Sequence, residues 1–81
     1  MRKETVNLLY LLRLNNCDSP VKGWTVKNIT VYTPFKYTKI LKDLNELVSG
    51  GYVAKGYKSV RAETFYITDM GKAFVMKNAP G

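Results

Sequence analysis

Residues Thr25 to Val53, TVKNITVYTPFKYTKILKDLNELVSGGYV, carry two helix signals a few residues apart, and that closeness constrains the fold more than any other feature. The second signal is the stronger. Thr33 suits an N-cap and Pro34 the first helical position, where its missing N–H costs nothing and its φ is preset. A helix over Pro34 to Val48 places Tyr37, Ile40, Leu41, Leu44, Leu47 and Val48 in one stripe. Thr38, Lys39, Lys42, Asn45 and Glu46 fall on the opposite face, with Lys36 at its margin. Asp43 is spaced to pair with Lys39 one turn away. Ser49-Gly50-Gly51 ends the run, one glycine taking a left-handed cap. The first signal is Thr25 as N-cap of a short helix reaching Val31, with Ile29 inward. Its β-branched residues lower helix propensity, and propensity alone would make Val26 to Tyr32 a strand. The helix start that follows so closely favours a helix pair joined by a tight turn.

Around this pair the remaining elements fall into place. Lys3 to Leu14 reads as a first helix with more apolar residues than one buried stripe needs. Asn15-Asn16 and Asp18-Ser19-Pro20 break it. Tyr52 to Tyr57 and Glu63 to Thr68 are rich in β-formers and flank a basic tip at Lys58 to Ala62. Alternation puts Phe65 and Ile67 on one face and Tyr66 on the other. Thr68 then caps a final helix over Asp69 to Lys77, and residues 78–81 read as a frayed tail. The 81 residues are expected to form a single domain.

Composition narrows the chemistry. The chain has no histidine and one cysteine, Cys17, so an intramolecular disulfide is excluded and zinc-ligand spacing is not met. Ser19, Ser49 and Ser59 have no imidazole to activate them. Neither enzyme chemistry nor a cofactor or metal is expected. Thirteen Lys and Arg against six Asp and Glu give a net charge of +7, which favours a polyanionic partner. Met1-Arg2-Lys3 followed by VNLLYLLRL has the outline of a signal peptide, but Asn7 and Arg13 interrupt the apolar run. No run reaches transmembrane length, so no membrane partner is expected and a cytoplasmic, nucleoid-associated location is.

Two helices across a tight turn, then a basic hairpin, then TDMGKAF resembles the winged helix-turn-helix domain of small MarR, PadR or ArsR-type transcriptional regulators. The resemblance spans nearly the whole chain and lies in pattern more than in invariant motif; TDMG is similar to the LTxxG segment that follows the wing in such proteins. It implies an α+β, mainly α fold: a three-helix core, a two- to three-stranded antiparallel wing and a short C-terminal helix. It also implies a short strand at Gly23-Trp24 that pairs with the wing. The implied function is sequence-specific binding of double-stranded DNA, as a repressor.

The residues for that task can be named. A helix fits the major groove, about 12 Å wide, and reads it from its N-terminal half. Lys36, Thr38, Lys39 and Lys42 occupy that half. Tyr32 and Thr33, in the turn before it, suit phosphate oxygens, although Tyr32 serves equally as a packed aromatic. Lys55, Lys58 and Arg61 arm the wing for flanking backbone or a narrow minor groove. The plainer reading of each set is a solvated polar face and an edge hairpin protected by lysines.

Three further expectations concern other surfaces. Leu8, Tyr10 and Leu11 with Phe74, Val75 and Met76 offer a homodimer seam between the first and last helices, unless closing a small core consumes them. Trp24 is expected in the core between the second helix and the hairpin, and no effector pocket is evident. Cys17 lies near Arg13 and Lys22, which would lower a thiol pKa and make it a redox-sensor candidate. Two other functions share the pattern. One is an excisionase-like architectural or recombination accessory that bends DNA; the other is a winged-helix protein-interaction module with an acidic partner.

Overall fold

The computed structural model describes residues 2–78, so the tail expected at residues 79–81 lies outside the described residues. Helix α1 spans Lys3–Leu14. A single 3-10 turn at Pro20–Lys22 leads into strand β1, Trp24–Thr25. Helices α2 (Val26–Thr30) and α3 (Tyr37–Ser49) follow, then strands β2 (Val53–Lys55) and β3 (Thr64–Ile67), and helix α4 (Asp69–Lys77). The strands form one antiparallel sheet in the order β1-β3-β2. This is the winged-helix fold, mainly α, with a three-stranded wing sheet.

Local chemistry sets most boundaries. In α1 the inward positions Thr5, Leu8, Leu9 and Leu12 follow helical spacing and are buried, while Leu14 is exposed. Thr25 does two jobs. It pairs with Thr64 in the sheet, and its hydroxyl accepts from the Asn28 N–H. The Asn28 side chain returns a bond to the Thr25 N–H, closing a capping box that holds α2 despite its β-branched sequence. Thr68 caps α4 in the same way, accepting from the Gly71 N–H. Gly51 has φ +84°, the left-handed exit from α3 that glycine allows. Gly71 meets a closer limit: a Cβ there would collide with the Tyr52 carbonyl oxygen and with Ile67, so the TDMG segment needs glycine for close approach of helix and strand.

The start of α3 corrects the sequence expectation. Its N-cap position is Lys36, which has no capping side chain, and not Thr33. Residues 31–36 form an extended turn in which the Tyr32 N–H donates to the Ile29 carbonyl. A Thr-Pro pair presets φ for a turn as readily as for a helix start. Phe35, half-exposed in this turn, faces Leu11 and Leu14 of α1 across an open groove.

The core joins all four helices to the sheet. Leu9, Leu12, Ile29, Leu44, Phe65 and Ile67 have no exposed surface. Phe65 sits where three strands meet, opposite Trp24 on one side and Lys55 on the other. Burial along β3 places Phe65 and Ile67 inward with Tyr66 partly exposed, as alternation requires. Trp24 is only half-buried; it stacks on Tyr32 with centroids 5.2 Å apart.

Cys17 belongs to this core and not to a reactive loop. Its thiol is fully buried, and its carbonyl accepts the Ile67 N–H at 2.7 Å. Burial, with a smaller contribution from Asp18, pushes the thiol pKa from 9.0 up to about 11, opposite to the expected lowering by Arg13 and Lys22. At neutral pH the thiol should resist a disulfide-exchange reagent until the chain unfolds, which a thiol-labelling time course reads directly. The unfolded thiol ionises near 9 while the folded one keeps its proton, so stability should fall as pH rises from about 9 to about 11. The loss should be on the order of 2 kcal/mol relative to Cys17→Ala, measured by urea unfolding at several pH values.

Candidate nucleic-acid interface

The exposed face of α3 follows from its own periodicity. Ile40, Leu44 and Leu47 are buried. Thr38, Lys42 and Asn45 are exposed on the opposite side and line one shallow surface with Glu46 and Ser49. Lys36, at the head of the helix, is exposed as well. With no acidic side chain in its first turn, α3 presents the positive end of its dipole together with that lysine. Among the described residues neither Lys36 nor Lys42 has an ion-pair partner.

Lys39 differs from its neighbours. Its ammonium donates to Asp43 at 2.9 Å and stands 5.8 Å from the centre of the Phe35 ring. The expected pair with Asp43 is present, and the structure adds two features. Asp43 is 1% exposed, and its other oxygen accepts from Arg2, 41 residues away, at 2.5 Å. Arg2 also bonds Glu46 at 2.9 Å, and the two carboxylates, Glu46 foremost, raise the guanidinium pKa further.

The wing divides likewise. Lys55 is engaged with Glu63 at 3.1 Å across the hairpin. Lys58 and Arg61 are exposed and, among the described residues, without an ion-pair partner. The tip closes by reciprocal hydrogen bonds between Ser59 and Ala62, with Val60 at φ 58° and almost wholly exposed. Arg61, Ala62 and Glu63 border a cleft also lined by Tyr37 and Leu41 of α3, Thr25 to Lys27 at the start of α2 and Phe65 of β3. The fold thus brings one wing cation beside α3, together with two residues outside the expected set. Lys27 is exposed and basic beside the turn, a signal that was present. Tyr37, assigned to the core stripe, is 54% exposed because it occupies the first turn of α3, beyond the edge of the core.

The turn residues fare differently. Tyr32 is 61% exposed and lies against Trp24, so it is not a core aromatic. The Thr33 hydroxyl is enclosed and finds no partner among the described residues, so it is not presented outward for a phosphate. Behind the turn, Leu8, Leu11 and Leu14 of α1 face Tyr32, Pro34 and Phe35 across an apolar groove of about 270 Å³, a concavity the sequence did not reveal.

The whole chain superposes on TubR from Bacillus megaterium pBM400 with a TM-score of 0.87, covering 89% of that chain at 18% identity. The two share a fold. No family profile matches the sequence, and no curated protein matches it, so membership of the MarR, PadR or ArsR families is not supported beyond the pattern.

The expected dimer seam is largely spent inside the fold. Leu8 and Val75 are core residues, and Tyr10, Leu11 and Phe74 pack partly against them. Phe74 meets Tyr52 edge-on at 5.3 Å. Of the seam residues Met76 remains exposed, as does Leu14 beside the seam. Among the described residues no group of three or more metal-ligating side chains occurs, and no helix is long and apolar enough to cross a membrane.

Proposed function

We propose that this chain binds double-stranded DNA in a sequence-specific way as a transcriptional regulator, most simply a repressor that occludes a promoter. The observation that carries this is the free α3 face of Thr38, Lys42 and Asn45, headed by Lys36 and flanked by Arg61 of the wing and Lys27 of α2. In a winged-helix frame with a net charge of +7, such a face suits the major groove, and the flanking cations suit the backbone on either side. Arg61 and Lys58, next to the exposed Val60, suit a narrow minor groove. The role is recognition and not catalysis, and it implies work inside the cell, on the nucleoid.

Fluorescence anisotropy on mixed-sequence duplex across a salt series tests this reading. Affinity should fall steeply with salt, and Lys42→Ala should reduce the slope of log K against log salt by about 0.9, the share of one phosphate contact. An unchanged affinity and slope would remove this face from the interface.

Pairing of two copies through α1 and α4 fits the exposed Leu14 and Met76 at the edges of otherwise packed helices. Sedimentation velocity should then show a dimer that Leu14→Glu shifts toward monomer. A concentration-independent monomer would rule the pairing out.

A further inference from the structure

We infer that Asp43 is a specificity-determining residue: it holds the Lys39 ammonium away from DNA phosphate and leaves Thr38, Lys42 and Asn45 as the reading face. The inference rests on the DNA-binding function proposed above. Asp43 lies at one margin of α3, buried, with each carboxylate oxygen occupied by a different cation. Arg2 approaches from the residue preceding α1, and Lys39 from one helical turn earlier in α3. Glu46 shares Arg2, so two cations and two carboxylates close a network of zero net charge.

The consequence for Lys39 is physical. To reach a phosphate it would leave a buried carboxylate short of one partner, and it would leave the Phe35 ring. Lys42 has no such tie and need only choose a rotamer. At about 100° per residue, Thr38, Lys42 and Asn45 fall within roughly 60° of arc, and Lys39 lies about 60° beyond Lys42 at its edge, toward Asp43.

Masking a lysine matters for discrimination. Phosphate contacts strengthen binding to every sequence alike, whereas base-edge contacts separate one sequence from another. A free lysine at position 39 would raise affinity on any duplex; a held one does not. Asp43 therefore trims indiscriminate affinity without shortening the basic helix, and through Arg2 it anchors α3 to the start of α1.

The test compares salt slopes on mixed-sequence duplex for the unsubstituted chain, Lys39→Ala, Asp43→Asn and the double variant. Lys39→Ala alone should leave the slope unchanged. Asp43→Asn should steepen it by about 0.9 and tighten non-specific binding about eightfold at 0.1 M salt, and the double variant should return to the starting slope. Against a site selected from random duplexes, Asp43→Asn should lower the ratio of specific to non-specific affinity by a similar factor. A merely structural role for Asp43 would weaken binding without steepening the slope. If Asp43→Asn does not fold by circular dichroism, Lys39→Ala still decides the matter. A slope reduced by about 0.9 in that single variant, as the exposed-lysine reading requires, overturns the inference. No duplex binding by the unsubstituted chain at low salt overturns the proposed function and this inference together.

Discussion

Replacing Lys36, Lys42 and Arg61 together by alanine should weaken binding to mixed-sequence duplex by roughly 500-fold at 0.1 M salt. The figure follows from counterion release. Each phosphate neutralised contributes about 0.9 to the salt slope, and three contacts over the tenfold interval from 1 M to 0.1 M salt amount to about 2.7 decades. Each of these three cations is exposed and, among the described residues, has no carboxylate partner. The same count applied to Lys39 and Lys55 predicts far smaller effects, because Asp43 and Glu63 already hold them. Anisotropy titrations at four or five salt concentrations measure both affinity and slope. The triple variant should keep its helical circular dichroism, since none of the three side chains is part of the core. A loss below tenfold would place the interface elsewhere on the chain.

The largest stability effect should come from Phe65→Ala. Phe65 is fully buried in the central strand, opposite residues of both flanking strands. Truncating a buried phenylalanine costs about 3–5 kcal/mol, from lost apolar transfer and from the cavity left behind. Folded domains have only about 5–15 kcal/mol in total, and a chain this short belongs near the bottom of that range. Urea unfolding should therefore show a midpoint near zero denaturant, or no native baseline at all. Phe65→Leu should cost much less, because it keeps most of the volume. The functional consequence is specific to this position. Phe65 also lies beneath the cleft between α3 and the wing, so its truncation should disturb the placement of Arg61 as well as the core. A Phe65→Ala chain with an unchanged unfolding midpoint would show that the wing sheet is not coupled to the helical core.

Much of the fold was legible because its signals are local. The stripe of Ile40, Leu44 and Leu47, the caps at Thr25 and Thr68 and the glycine exit at Gly51 each depend on residues within a few positions. The start of α3 departs from the sequence expectation for the same reason. Thr33-Pro34 is compatible with a turn and with a helix, and propensity alone does not separate them; the helix begins only after Lys36. Charge was less legible. Lys36, Lys39 and Lys42 look alike in sequence, and so do Lys55 and Lys58.

By itself, the sequence determined the order of helices and strands, most of the buried stripe of α3 and the excess of positive charge, because periodicity, caps and composition do not require knowing what lies across the molecule. Only the tertiary structure decided which charges are free. Arg2 reaches Asp43 across 41 positions of chain, Arg61 comes beside Tyr37 and Lys27 through the return of the hairpin, and Cys17 is enclosed in the core. Whether a side chain is available to a partner depends on its distance from groups far away in sequence, and the spacing of residues along the chain does not encode that distance.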